Sequence, residues 1–185
     1  MGKGLLKMDM ENALEDMEML AKAHDTEPFY VYILGGSGCV LAQYLNRATR
    51  DFDIIDLDYS ASLGRVMKPL EPFDMIDPQL ATIPPDFKRR ATRLPQYTYL
   101  SVYVLSREDI IISKMARLNE RDFSDISEML SAADIALIFK LASDLLDGDL
   151  LPMAKHALVD NMARCLEENH VPDYMQQLEE LRKRF

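Results

Sequence analysis

At 185 residues, 48% of them apolar and 28% charged, the chain can bury a sizeable core and has the composition of a globular protein. Two cysteines, Cys39 and Cys165, and three scattered histidines, His24, His156 and His170, exclude a disulfide framework and argue against zinc, so any metal would be held by oxygen, as magnesium, manganese or calcium are. A net charge of −10 argues against broad nucleic-acid binding, which rests on neutralised phosphates. A local basic cluster, Lys88-Arg89-Arg90 with Arg93, reads as a solvated loop. No apolar run approaches the roughly 20 residues of a membrane helix, and the N-terminal stretch carries acids where a signal peptide would have none. The expected location is cytoplasmic.

In chain order, Leu14, Met17, Leu20 and Ala21 fall at helical spacing between about Met8 and His24, and Asp25 to Pro28 break that helix. "FYVYILGG" is a short strand rich in β-branched and aromatic residues. From Ser37, Val40, Leu41, Tyr44 and Leu45 share a helical face, and "DFDIIDLDY" is a second strand. Leu63, Val66, Met67 and Leu70 predict a helix over 60–70. An irregular, proline-broken stretch follows, with a short strand expected at Met75 or near Ala81. One or two strands come next, with clear alternation from Tyr99 to Leu105. Ser106 and Asp109 have the shape of a capping box, and everything beyond reads as helices. The abundant methionines are core filler. The fold class is α+β: a small mixed sheet flanked by helices over residues 1–120, carrying a helical C-terminal part over 121–185.

Gly35-Gly36-Ser37-Gly38, between the first strand and the next helix, is open to three readings. The phosphate loop of common NTPases needs a following Lys and Ser/Thr, yet no lysine occurs between Lys22 and Lys68. An NAD(P)-binding, Rossmann-like turn would want a small residue where Leu41 stands, a catalytic Tyr-xxx-Lys pair and a run of βα units, all of which are missing. The third reading uses the second strand. Asp51 and Asp53 are two apart, so a strand projects both onto one face, where two carboxylates repel unless a divalent cation or a proton intervenes. The turn would supply an anion cradle at the start of a helix, and the strand would supply oxygen ligands. Asp56 and Asp58 have the same spacing but lie further from the turn and fit a solvated strand end. Lys114, among Ile110, Ile111, Met115 and Leu118, lies near the buried side of its helix. It either snorkels or pairs with a carboxylate or phosphate.

"GGS" followed after one helix by "TRDFDIID" resembles the signature of the nucleotidyltransferase superfamily related to DNA polymerase beta, and most nearly its small bacterial AbiEii-like toxin-type members and their uncharacterised relatives. "LSREDIIISKMARLNERDFSDISEML", with its internal lysine and its Arg-Asp pair with a second Asp three residues on, extends the resemblance over about residues 30 to 130. The resemblance implies Mg²⁺ or Mn²⁺, an NTP substrate, and transfer of a nucleoside monophosphate to an acceptor hydroxyl on RNA, protein or a small molecule. It implies that Gly35, Gly36 and Ser37 bind the triphosphate, with Ser37 acting through its hydroxyl and amide, and that Asp51 and Asp53 bind the metal. Its third carboxylate maps best to Asp77, followed by Asp74. It favours a Lys114 paired with Asp122 or Asp125, or with a phosphate. A toxin–antitoxin or phage-defence role, with an antitoxin partner, follows by extension. Without a third carboxylate, the protein would be a catalytically inactive binding module on the same fold.

Overall fold

A computed structural model describes residues 4–78 and 81–184. Its contacts divide the chain into two units, one formed by Met1–Leu80 with Lys88–Ser106, the other by Ala81–Phe87 with Arg107–Phe185.

The first unit is α+β. Helix α1 (Lys7–Ala23) is followed by strand β1 (Tyr30–Leu34), helix α2 (Gly35–Leu41) and strand β2 (Phe52–Ile55). A short helix α3 (Gly64–Met67) then leads to β3 (Phe73–Ile76); α4 (Phe87–Arg90), β4 (Thr92–Arg93) and β5 (Ser101–Val104) complete the sequence of elements. The five strands form one mixed sheet in the order β3-β2-β1-β5-β4. The expected 60–70 helix is three short pieces, a 3-10 turn at Ala61–Leu63, α3, and a second 3-10 turn at Lys68–Leu70. Pro69 has no N–H to continue an α-helical ladder, which accounts for the change of pitch there.

Register fixes what each sheet face carries. Val31 pairs with Val102, Ile33 with Val104 and with Ile54. These side chains, with Phe52, share a core with Met10, Leu14, Met17 and Ala21 of α1; Leu14, Met17 and Ala21 belong to the stripe that helical spacing predicts, whereas Leu20, expected with them, is only half-buried and Met10 joins the core instead. Alternation sends Tyr30, Tyr32, Leu34, Asp53, Asp74 and Tyr103 to the opposite face.

The second unit is helical: α5 (Arg107–Arg117), α6 (Glu120–Leu130), α7 (Ile135–Leu146), α8 (Pro152–Glu168) and α9 (Met175–Arg182). Local chemistry marks its helix starts. Asn119 Oδ1 accepts from the Asp122 amide at 2.9 Å and Asp134 Oδ1 from the Leu137 amide at 3.0 Å, while Pro152 opens α8 at a position whose N–H has no helical partner. Among the described residues no helix is long and apolar enough to cross a membrane.

Candidate functional site

The glycine turn joins β1 directly to α2, and two glycines are needed there for different reasons. Gly35 has φ +61°, a left-handed conformation costly for any residue with a Cβ, and a Cβ at that position would lie 2.1 Å from Asp53 Oδ2. Gly36 has ordinary dihedrals, but a Cβ on it would meet Thr49 Oγ1 at 2.7 Å. What the turn approaches so closely is therefore the second strand and the segment leading into it. The Gly36 amide donates to Asp53 Oδ2 at 3.0 Å.

Ser37 locks this arrangement. Its side chain is fully buried, its hydroxyl donates to the Leu34 carbonyl at 2.9 Å, and it accepts from the Asp53 amide at 2.9 Å. The hydroxyl that the sequence resemblance aims at a triphosphate is thus engaged inside the fold, joining the end of β1 to β2.

Asp51, one residue before β2, and Asp53 within it do converge, and the structure adds Asp74. One carboxylate oxygen from each of the three lies within 4.8 Å of the others, with Asp51 and Asp53 half-buried and Asp74 exposed. Asp74 arrives because β3 runs parallel to β2 with Asp74 beside Asp53, so neighbouring side chains share a face. Asp77 lies just past the end of β3 and is not in this group. Asp56 and Asp58 form a turn beyond β2: the Asp58 amide donates to Asp56 Oδ1 at 2.9 Å and Asp58 has φ +59°. The antiparallel pairing of β1 and β2 removes the dinucleotide reading, because a Rossmann half places those two strands parallel.

In the helical unit, Lys114 is buried and its Nζ donates to Asp122 Oδ1 at 2.9 Å and Asp125 Oδ2 at 2.7 Å. It does not snorkel. Arg117 completes the cluster from the solvent side, with Nε 2.8 Å from Asp122 Oδ2. Burial pushes the Asp122 carboxyl up, but the hydrogen bonds and charges of Arg117 and Lys114 outweigh it and hold the group below the usual aspartate range.

Three carboxylates in reach of one ion form an oxygen-only donor set, which suits a hard divalent cation rather than a soft one. No curated protein and no solved structure matches the chain significantly. Residues 8–147, from the first helix through the seventh, match the family described as nucleotidyltransferase of unknown function (DUF6036). That span takes in the glycine turn, the three carboxylates and the Lys114 cluster, and a match over most of the chain means that the protein belongs to this family of nucleotidyltransferases.

Proposed function

We propose that this protein transfers a nucleoside monophosphate from an NTP to an acceptor hydroxyl. The observation that supports this most is the convergence of Asp51, Asp53 and Asp74 beside a turn with no room for a Cβ at Gly35 or Gly36. Asp51, Asp53 and Asp74 would hold Mg²⁺ or Mn²⁺; when bound, the ion supplies positive charge to the triphosphate and to the attacking oxygen.

The chain's own residues set the geometry. Gly35 and Gly36 let the turn close on β2, so that Asp53 packs against it with its carboxylate held by the Gly36 amide, and Ser37 acts by fixing β2 against the turn. Asp74, the exposed carboxylate of the three, is open to the acceptor and takes its proton. The hydroxyl oxygen then bonds to the α-phosphorus, the bond from that phosphorus to the oxygen bridging the β-phosphate breaks, and pyrophosphate leaves with the electron pair. Lys114 is a positioning residue that ties α5 to α6 through Asp122 and Asp125. The binding-only alternative rests on a missing third carboxylate, and Asp74 weakens it. A cytoplasmic, AbiEii-like toxin with an antitoxin partner is the finer biological reading, and it rests on the sequence resemblance.

Incubating the protein with each NTP labelled at the α-phosphate, Mg²⁺ and cell extract tests the reaction. Label should appear on an acceptor and vanish with Asp53→Asn. Nucleotide binding without transfer to any acceptor would favour the binding module.

A further inference from the structure

The outer side of α1 borders a cavity that the carboxylate site does not use. Its volume is about 270 Å³, and Glu15, Glu18, Met19 and Lys22 of the helix line it together with Gln96 and Tyr97 of the segment leading into β5. All six belong to the first unit.

Glu18 is the unusual member. It is 8% exposed, and burial pushes its carboxyl up, but Lys22, Thr98 and the Tyr99 backbone outweigh burial and hold it below the usual glutamate range. It is therefore ionised at neutral pH. Its partners are lopsided. Oε1 accepts from the Thr98 amide at 3.2 Å and the Thr98 hydroxyl at 3.1 Å, and Lys22 Nζ stands 3.1 Å from the same oxygen. No hydrogen bond reaches Oε2, which is buried, and the nearby Tyr99 amide falls short of one. A buried, ionised oxygen without a donor is costly, and folded chains leave few of them. The neighbouring phenol does not supply the donor. Burial, with the carboxylates of Glu11, Glu15 and Glu18, pushes Tyr97 up to about 12, and its hydroxyl donates to the Glu11 carbonyl at 3.3 Å.

The lining selects the ligand. Two carboxylates outnumber one ammonium in it, so a cation is favoured. Among the described residues, Glu15 and Glu18 belong to no group of three metal-ligating side chains, so the cation is not a metal ion. Met19, 61% exposed, and the ring of Tyr97 give the cavity an apolar wall. Glu15 and Glu18 are three apart and so are neighbours on the helix surface. A primary ammonium has three donors, enough for Glu18 Oε2, Glu15 and one water, and a short alkyl stem matches the apolar wall. A guanidinium aims paired N–H groups at both oxygens of a carboxylate, and Oε1 is already engaged. The volume lies at the small end for ligand sites, which suits a free amine of few carbons.

We propose that this cavity binds a small primary amine, with its ammonium on Glu18 Oε2 and Glu15 and its alkyl chain against Met19 and Tyr97. The amine fastens α1 to the segment 96–98. The site rests on nothing in the nucleotidyl-transfer reading.

Titrating n-butylammonium into the full chain at constant ionic strength, followed by the Thr98 amide resonance, tests the site. Tetramethylammonium and n-butanol are the controls for charge alone and alkyl chain alone. The wild type should show saturable shifts with n-butylammonium and none with either control. Glu18→Gln should weaken binding roughly 10- to 100-fold, the value of one hydrogen bond to a charged group. Lys22→Met removes the cation that shares Glu18 and should tighten binding by up to about fivefold, the range of an exposed ion pair. A Glu18 that serves only to hold Lys22 and Thr98 gives no such gain. Glu15 and Lys22 are exposed, so their variants keep the fold, and Glu15→Gln, which should also weaken binding, decides the matter where Glu18→Gln does not fold. No saturable shift in the wild type, an equal response to either control, affinity indifferent to both glutamate variants, or weaker binding by Lys22→Met would each overturn the proposal.

Discussion

The carboxylate of Asp53 fills the space that a side chain at position 35 would need. A Cβ built on Gly35 would sit 2.1 Å from Asp53 Oδ2 and 2.6 Å from its Cγ. The glycine turn and the acidic strand are thus one device, in which the absent side chain makes room for a carboxylate that the next amide holds by a hydrogen bond. Gly35→Ala should cost at least about 1–2 kcal/mol from the left-handed backbone alone, before Asp53 is displaced. Gly64, with open space around its missing Cβ, is the control: Gly64→Ala in α3 should leave stability unchanged or raise it by up to about 1 kcal/mol. Thermal unfolding of both variants checks the contrast.

Ser37→Ala should destabilise without altering any exposed surface. It strips the Asp53 amide of its acceptor and the Leu34 carbonyl of a donor in a fully buried place, a loss of about 1–3 kcal/mol. Hydrogen exchange at the Asp53 amide should accelerate well beyond that of Val102 in β5, whereas a hydroxyl serving only a ligand would leave both unchanged.

The Lys114 cluster should behave as a buried ion network. Lys114→Met leaves Asp122 and Asp125 buried without their shared cation and should cost about 3–5 kcal/mol in denaturant unfolding. Its pH dependence has a definite sign. Because the Asp122 carboxyl is held below its unfolded value, the associated stability is present above the unfolded aspartate pKa and is lost as pH falls through the lower folded one. Acid unfolding of the wild type should therefore steepen below about pH 4. In Asp122→Asn protein that component should be absent.

Cys165 should serve as a silent reporter. Burial pushes its thiol up to about 12, so almost no thiolate exists at neutral pH. A thiol reagent at pH 8 should label it only as the helical unit unfolds. Rapid labelling of the native chain would contradict its placement.

How far the sequence discloses this molecule differs by element. The helices α1, α5, α7 and α8 are long enough for a 3.6-residue stripe to declare itself, and β1, with its run of aromatic and branched residues ending in glycines, is equally plain. Asp51 and Asp53 are legible because their spacing alone sets a shared face. Asp74 is not. It sits in "FDMI", an edge strand of four residues between Pro72 and Pro78 with no buried side chain in its pattern, and it joins the other two only through parallel register with β2. That relation is non-local, which is why the sequence favours Asp77 over it. The stacking of Tyr32 on Tyr103 is hidden for the same reason, since the two meet only when β1 and β5 pair. Ser37 stands out in the sequence as a residue of the turn, but its hydrogen bond to a strand 16 positions away leaves no local sign.

Titration of Mn²⁺, followed by its paramagnetic resonance signal, tests most directly whether these three carboxylates form a metal centre. The wild-type chain should bind the ion. Asp53→Asn and Asp74→Asn should each weaken binding by roughly tenfold or more, since even an outer-shell partner of a metal site is typically worth that much. Asp77→Asn should leave the titration curve where it was. Equal Mn²⁺ affinity in wild-type and Asp74→Asn proteins, or a loss confined to Asp77→Asn, would contradict the site described here.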